Sequence, residues 1–225
     1  MNRRPNGTCG LICTLACMER ITYCSNGDEG DLMRSISKIE TDRLIITEFS
    51  LDMAEDVHKN SLDEDNRRFV PDEVFETVDE ARETIEFLMS QYGKFEGPLV
   101  HPVITKNNQK NIGYVQMVPT DEGIWEIGYH IAKAYTGNGY ATEACYAVMD
   151  YLFNECDVET IYSEFMEDNI ASGKVMKKCG MIEEGRLRNR CIDKTGKRQD
   201  LLSYSITRDE FNENIQNFDG KILKI

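Results

Sequence analysis

The sequence predicts an α+β fold: one domain from about residue 39, built as a sheet with helices on both faces. Three observations carry this. Short β-type runs and helical stretches follow in the order β-α-α-β-β-β-α-β-α-β-β. The middle three strands succeed one another without a helix, so they are joined as hairpins and not as parallel crossovers. Two glycines, Gly137 and Gly139, separate a strand from a helix.

The elements follow in order. Residues 43–49 read as the first strand. Ser50 or Asp52 caps a helix with Met53, Ala54 and Val57 at helical spacing. Pro71 breaks the chain. Thr77-Val78-Asp79-Glu80 opens a longer helix whose apolar face is Ala81, Ile85, Leu88 and Met89. Strands over 99–105 and 112–118 flank a polar turn at 106–110. Thr120-Asp121-Glu122-Gly123 turns the chain into a strand over 124–131. A helix over 140–154 carries Ala144, Cys145, Val148 and Leu152 on one stripe. A strand at 160–166 leads to a helix begun by Asn169 or Ser172 and closed by Cys179-Gly180. Two last strands, 181–191 and 200–207, flank a turn at 193–197.

Composition narrows the function. The chain of 225 residues has 40 acidic and 26 basic side chains, a net charge of −14. Phosphate backbones need a basic surface, so no nucleic-acid partner is expected. No run approaches the roughly 18 apolar residues of a membrane span, so no membrane is expected. An acidic surface suits cationic acceptors such as amines, but solubility alone is the simpler explanation, since net charge says nothing direct about a pocket.

Residues 1–38 lack the periodicity of the rest and read as a Cys-rich extension, disordered or not translated natively. Arg3 and Arg4 precede a short apolar run, 11–18, that faintly resembles an export signal. Cys9, Cys13 and Cys17 share a face if helical, but C-x2-C spacing is absent and the first His is His58, so no metal site is expected. A start at Met33 would lead straight into the first strand. The eight cysteines are read as thiols of a reducing, cytoplasmic protein.

The glycine segment carries the chemistry. Glycine permits positive φ and close approach of a ligand to the main chain. A helix start presents unpaired N–H groups and a positive dipole end, so the segment is suited to a pyrophosphate. A bare tight turn is the alternative. It is not a P-loop, and Thr142 stands where a dinucleotide fingerprint has its third glycine.

The surroundings extend this. Glu126-Ile127-Gly128-Tyr129-His130-Ile131, the segment from Tyr135 to Ala144, Asn169-Ile170-Ala171-Ser172 and Lys178-Cys179-Gly180-Met181 together resemble the GNAT acetyltransferase superfamily. With the opening Ile39-Glu40-Thr41-Asp42-Arg43-Leu44, they are most similar to its RimJ/RimL-like branch. The resemblance spans roughly residues 38–210. It implies the GNAT acyl-CoA N-acyltransferase fold, a mixed and largely antiparallel sheet flanked by helices on both faces.

It also implies an N-acetyltransferase using acetyl-CoA, with direct attack by a primary amine in a ternary complex. The family's Q/R-x-x-G-x-G/A pattern falls on Thr136, Gly139 and Ala141, with Thr136 a departure. By resemblance, Gly137, Asn138, Gly139, Tyr140, Ala141 and Thr142 cradle the pyrophosphate. His130 and Ile131 pair with the pantetheine arm like an added strand. Asn169 and Ser172 meet the cofactor from the far side, although Asn169 also reads as a plain helix N-cap.

Glu126 is the candidate general base, with Tyr129 as an alternative polar contributor. The usual proton-donor tyrosine is replaced by Met176, leaving Ser172 or water, with Tyr162 and Tyr204 further options. The acceptor is a small amine or a protein N-terminus, and a homodimer is left open. Glu73, Glu76, Asp79 and Glu80 would favour a cationic acceptor over the first helices, with the 193–197 turn beside them. A sensor that holds acyl-CoA without turnover is the competing function.

Overall fold

The computed structural model describes residues 36, 38–70, 73–93, 99–121, 123–156, 158–193 and 196–217. Cys9, Cys13, Cys17, Cys24, Met33 and Pro71 lie outside them, and with them the readings of the extension.

Among the described residues, eight strands form one sheet. They are β1 (Lys38–Glu40), β2 (Leu44–Thr47), β3 (Leu99–Thr105), β4 (Asn111–Asp121), β5 (Ile124–Ile131), β6 (Thr160–Met166), β7 (Ile182–Ile192) and β8 (Arg198–Thr207). Their spatial order is β1-β2-β3-β4-β5-β6-β8-β7. Every neighbouring pair is antiparallel except β5 with β6. The helices are α1 (Ala54–Ser61), α2 (Glu64–Phe69), α3 (Val78–Gln91), α4 (Tyr140–Glu155), α5 (Ile170–Lys178) and α6 (Arg208–Asn217).

Two apolar layers follow from the strand alternation. On one face Val148, Met149 and Leu152 of α4 pack on Val115, Ile127 and Ile161 of the sheet. On the other, Ile85 and Leu88 of α3 pack on Val100 with Phe49 and Ala54. Ile36, only 2% exposed, joins the first layer, so the core reaches upstream of residue 39.

Sequence and structure differ in four places. The strand expected at 43–49 is shorter, because Arg43 forms the turn from an additional strand, β1. α2 was not expected. Asp63 creates it by accepting the N–H of Asn66 at 2.9 Å, an N-cap that six residues of polar sequence do not advertise. Neither Ser50 nor Asp52 caps α1 by its side chain, since a 3₁₀ turn, Leu51–Met53, intervenes. An additional helix, α6, follows β8 and seats Phe211 against Tyr146 and Phe153 of α4.

The capping signals at the other helices act as expected. Thr77 accepts the N–H of Glu80 at 3.2 Å, and the Glu80 carboxylate accepts that of Glu76 at 2.7 Å. Gly180, at φ 82°, follows the end of α5. Cys145, Cys156, Cys179 and Cys191 are free thiols. No helix among the described residues is long and apolar enough to cross a membrane.

Candidate active site

The site is built on one interruption in the sheet. β5 and β6 pair over three positions only, Ile124 with Thr160, Trp125 with Ile161 and Glu126 with Tyr162. Beyond Glu126 the parallel strands separate, while β5 stays paired to β4 as far as Ile131. The N–H of Ala132 donates to Ile112 O at 2.8 Å. Antiparallel alternation then turns the main-chain groups of Gly128 and His130 toward β4. Those of Tyr129 and Ile131 face the gap, an open strand edge inside the sheet.

Past the end of β5 lies the glycine turn. Gly137 and Gly139 both adopt φ +81°, the left-handed region that a side chain disfavours. Asn138 holds the turn from within, donating to Tyr135 O at 3.0 Å and Thr136 O at 3.3 Å. Thr136 spends its hydroxyl on Lys133 O at 2.9 Å. Gly139 is the N-cap of α4 and has no side chain to satisfy the first-turn N–H groups. A Cβ on Gly137 would meet nothing within 4 Å, so the turn opens to space. Tyr140, Ala141 and Thr142 form the first turn above it. The arrangement fits a pyrophosphate.

At the foot of the gap, the Glu126 carboxylate accepts the Tyr162 hydroxyl at 3.2 Å. Burial, then the Glu126 charge, pushes the Tyr162 phenol up, so it stays a donor. Tyr129 is an odd number of residues from Glu126 and so points to the opposite face. There its hydroxyl lies 2.9 Å from both the carbonyl and the Oγ of Ser172 in the first turn of α5. Burial raises the Tyr129 phenol well above its usual range. Asn169 is the N-cap of α5, its Oδ1 accepting Ser172 N–H at 3.2 Å. Met176 is core, 1% exposed. Tyr204 is buried and donates to Glu183 at 2.6 Å, which removes it from the gap.

His130 departs from its expectation. Its main chain serves β4, and its imidazole turns to the α1–α3 face, beside Tyr114 at a ring separation of 5.9 Å. Of the expected pantetheine pair, the main chain of Ile131 faces the gap and that of His130 does not; the other gap-facing residue is Tyr129. The reason is the strand period, which sends successive main-chain groups to opposite neighbours. Burial lowers the His130 pKa against the weaker pull of Asp63 and Asp65, keeping the ring neutral.

His130 lines a pocket of about 50 Å³ under α1–α3, with Glu73, Phe75, Leu88, Asn111 and Tyr114. Its walls are mainly apolar. Asn66 Oδ1, Asn111 Nδ2 and His130 Nε2, all at its margin, are buried without a hydrogen-bond partner. Of the four acids expected over the acceptor, only Glu73 reaches this pocket, where it accepts the Tyr114 hydroxyl. Glu76 pairs with Arg67 at 2.9 Å and Glu80 caps α3. Asp79 lies in the first turn of α3.

α2 crosses above the gap. Asp63, at its start, accepts Lys133 N–H at 3.0 Å beyond β5. At its other end Arg68 pairs with Asp168 at 2.9 Å, and Phe69 packs on Met166, Cys191 and Leu201. Among the described residues no cluster of three His, Cys, Asp or Glu is placed to hold a metal.

An open strand edge leading from the half-buried Glu126 carboxylate to a helix-borne anion cradle fits a class: a group-transfer enzyme with an extended, phosphate-ended donor. Comparison with known proteins gives the family. The Acetyltransferase (GNAT) domain family matches residues 43–182, more than half of the chain. The N-acetyltransferase YnaD of Bacillus subtilis, itself uncharacterized, is 31% identical over 175 residues, covering 77% of this chain and 99% of its own. A GNAT-family acetyltransferase structure from Bacillus anthracis superposes with a TM-score of 0.68 at 28% identity, covering 76% of this chain and 99% of that one. The acetyltransferase MccE, solved with acetyl-CoA and AMP, shares the fold at a TM-score of 0.64 and 20% identity, covering 74% of this chain and 93% of its own. The chain belongs to the GNAT acetyltransferase family and is an acetyltransferase, and the donor of that family is acetyl-CoA.

Sequence reasoning overlooked two residues here, Arg43 and Glu143, and gave Tyr129 only as an alternative to Glu126. The signal for the first two was present in Thr41-Asp42-Arg43-Leu44 and Thr142-Glu143, but no local pattern joins segments a hundred residues apart.

Proposed function

We propose that this protein transfers the acetyl group of acetyl-CoA to a primary amine, by direct attack in a ternary complex, within the RimJ/RimL-like branch. The observation that carries this is the divergence of β5 from β6 directly after Glu126, with the glycine cradle at its open end.

Main-chain N–H groups of Gly137, Asn138, Gly139, Tyr140, Ala141 and Thr142 hold the pyrophosphate. The gap-facing edge of Tyr129 and Ile131 holds the pantetheine arm as an added strand. Asn169 and Ser172 border it from α5. When bound, acetyl-CoA supplies an acetyl group activated as a thioester.

Glu126 takes the proton that the amine must lose, directly or through water. Tyr162 fixes the carboxylate by its hydrogen bond. Ser172, backed by the protonated Tyr129, returns a proton to the departing sulfur from the opposite face. Base and acid therefore work on the two sides of one gap, in line with a direct displacement.

The acceptor, a small amine or a protein N-terminus, enters from the Glu126 face beneath α2. The Glu73 carboxylate and the apolar walls under α1–α3 suit the distal part of a cationic, partly apolar acceptor. The test is a thiol-release assay with polyamines, aminoglycosides and N-terminal peptides in parallel, beside calorimetry with CoA. Thiol release dependent on one amine class is expected. CoA binding without release for any amine would make the protein a sensor.

A further inference from the structure

The first turn of α4 contains a carboxylate in what ought to be the wrong place. Glu143 lies beside the glycine cradle and is only 10% exposed at its side chain. An uncompensated buried anion there would repel a pyrophosphate. The turn between β1 and β2 compensates it. Thr41 Oγ1 donates to Oε1 at 2.5 Å and the Arg43 N–H at 3.1 Å, while Arg43 Nε reaches Oε2 at 2.6 Å and Nη2 reaches it at 2.5 Å.

The same guanidinium does two further things. Its Nη1 donates to Asn138 O at 2.9 Å, in the middle of the cradle. Its plane lies over the Tyr140 ring, 4.7 Å from the centroid. A Cβ built on Gly139 would sit 3.5 Å from Nη2, so the cation is adjacent to the glycine itself. Asn138 and Tyr140 flank Gly139, and Arg43 grips both.

We propose that Arg43 is a positioning residue for coenzyme A: it neutralises Glu143 and fixes the Gly137–Gly139 turn in its anion-accepting shape. The proposal rests on the assignment of the α4 N-terminus as the pyrophosphate site. Two physical effects add. The Asn138 carbonyl is drawn toward the guanidinium, which favours turning the opposite N–H faces of the turn outward. And pairing Glu143 removes one anion's field from the cradle of a chain with net charge −14, which otherwise disfavours a polyanion. Arginine's rigid planar fork grips the carboxylate through two nitrogens and the carbonyl through a third; a lysine's compact ammonium has three donors but not that reach or geometry.

The charge argument gives a signature that a structural brace alone lacks. Removing Arg43 strands a buried carboxylate beside the phosphates; removing that charge as well restores the part of the binding lost to it. Calorimetry with CoA and with pantetheine, which lacks the pyrophosphate, measures it on the full chain. Arg43→Met is expected to weaken CoA binding about ten-fold or more, the scale of an unpaired buried charge, and to leave pantetheine unaffected. Arg43→Met with Glu143→Gln is expected to regain the part of the loss that comes from the stranded charge and to stay below wild type, because the grip on Asn138 and Tyr140 is still missing.

If Arg43→Met fails to fold, Arg43→Lys serves, with a loss of about three-fold or more expected from the missing fork. CoA affinity unchanged in either folded single variant would overturn the proposal. So would a double variant as weak as Arg43→Met, or an equal loss for pantetheine. Wild-type protein that binds no CoA would instead sink the cradle assignment, and the positioning role with it.

Discussion

The hydroxyl of Tyr129 lies 2.9 Å from Oγ of Ser172, joining β5 to the first turn of α5 across the gap in the sheet. A phenol has one proton, and the Ser172 carbonyl, also at 2.9 Å, competes for it. The pair therefore acts as a unit in which either hydroxyl serves as the other's donor.

Tyr129→Phe and Ser172→Ala are each expected to lower kcat about 10²-fold, the lower end for a lost proton donor. KM for acetyl-CoA should change little. Combined, the two substitutions should cost little more than either alone, because each breaks the same relay. Additive losses in a steady-state double-mutant cycle would separate their roles. Since burial holds the Tyr129 phenol well above its usual range, it stays protonated through any neutral assay and adds no basic limb to the rate profile.

Glu126→Gln keeps the shape of the side chain and the acceptor for Tyr162 but abolishes the base. kcat/KM for the amine should fall by about 10²–10³, with CoA affinity preserved. Tyr162→Phe should cost less, since it only frees the carboxylate to rotate. A thiol-release assay on both variants checks the ranking, and an unaffected Glu126→Gln enzyme would leave deprotonation to water.

Gly173→Ala sets two effects against each other. Alanine favours a helix interior by about 0.5–1 kcal/mol. The new Cβ, however, would lie 2.8 Å from Cζ of Phe165 on β6, a core ring with little room to yield. Overpacking of this kind costs about 1–3 kcal/mol, so the variant should be less stable in urea denaturation. It should also lose activity, because displacing α5 moves Ser172.

His101 gives a pH dependence of stability. It is fully buried, stacks on Tyr92 at 5.1 Å and uses Nδ1–H to donate to Thr47 O at 2.8 Å. Burial pushes its pKa down to about 4 from 6.5. The unfolded chain therefore binds a proton below pH 6.5 that the folded chain refuses until about pH 4. Stability is unaffected by this group above pH 6.5 and falls as the pH drops through that window. The slope approaches about 1.4 kcal/mol per pH unit. Denaturation at pH 7.5 and 5.5 should show the loss in the wild type and a smaller one in His101→Gln.

Local chemistry made much of this protein legible. The hairpins at 106–110 and 193–197, the Thr77 cap, the α4 stripe and the Gly180 stop are written in residues that contact their own neighbours along the chain. So is the glycine cradle, whose φ values only glycine adopts without strain. α2 and β1 were not legible. α2 depends on Asp63 and on contacts of its two ends with opposite sides of the gap, and β1 depends on a partner strand.

What the sequence by itself determined is the order of elements, the anion-ready start of α4 and the placing of Glu126 at one end of β5. Those follow from patterns a few residues long. What only the tertiary structure decided is which groups meet. The strand alternation turned His130 away from the gap and Tyr129 into it, and the register of β5 on β6 brought Tyr162 to Glu126. The β1–β2 turn laid Arg43 on Glu143, a hundred residues on. Contacts between distant segments are fixed by packing geometry, and no local spacing encodes them.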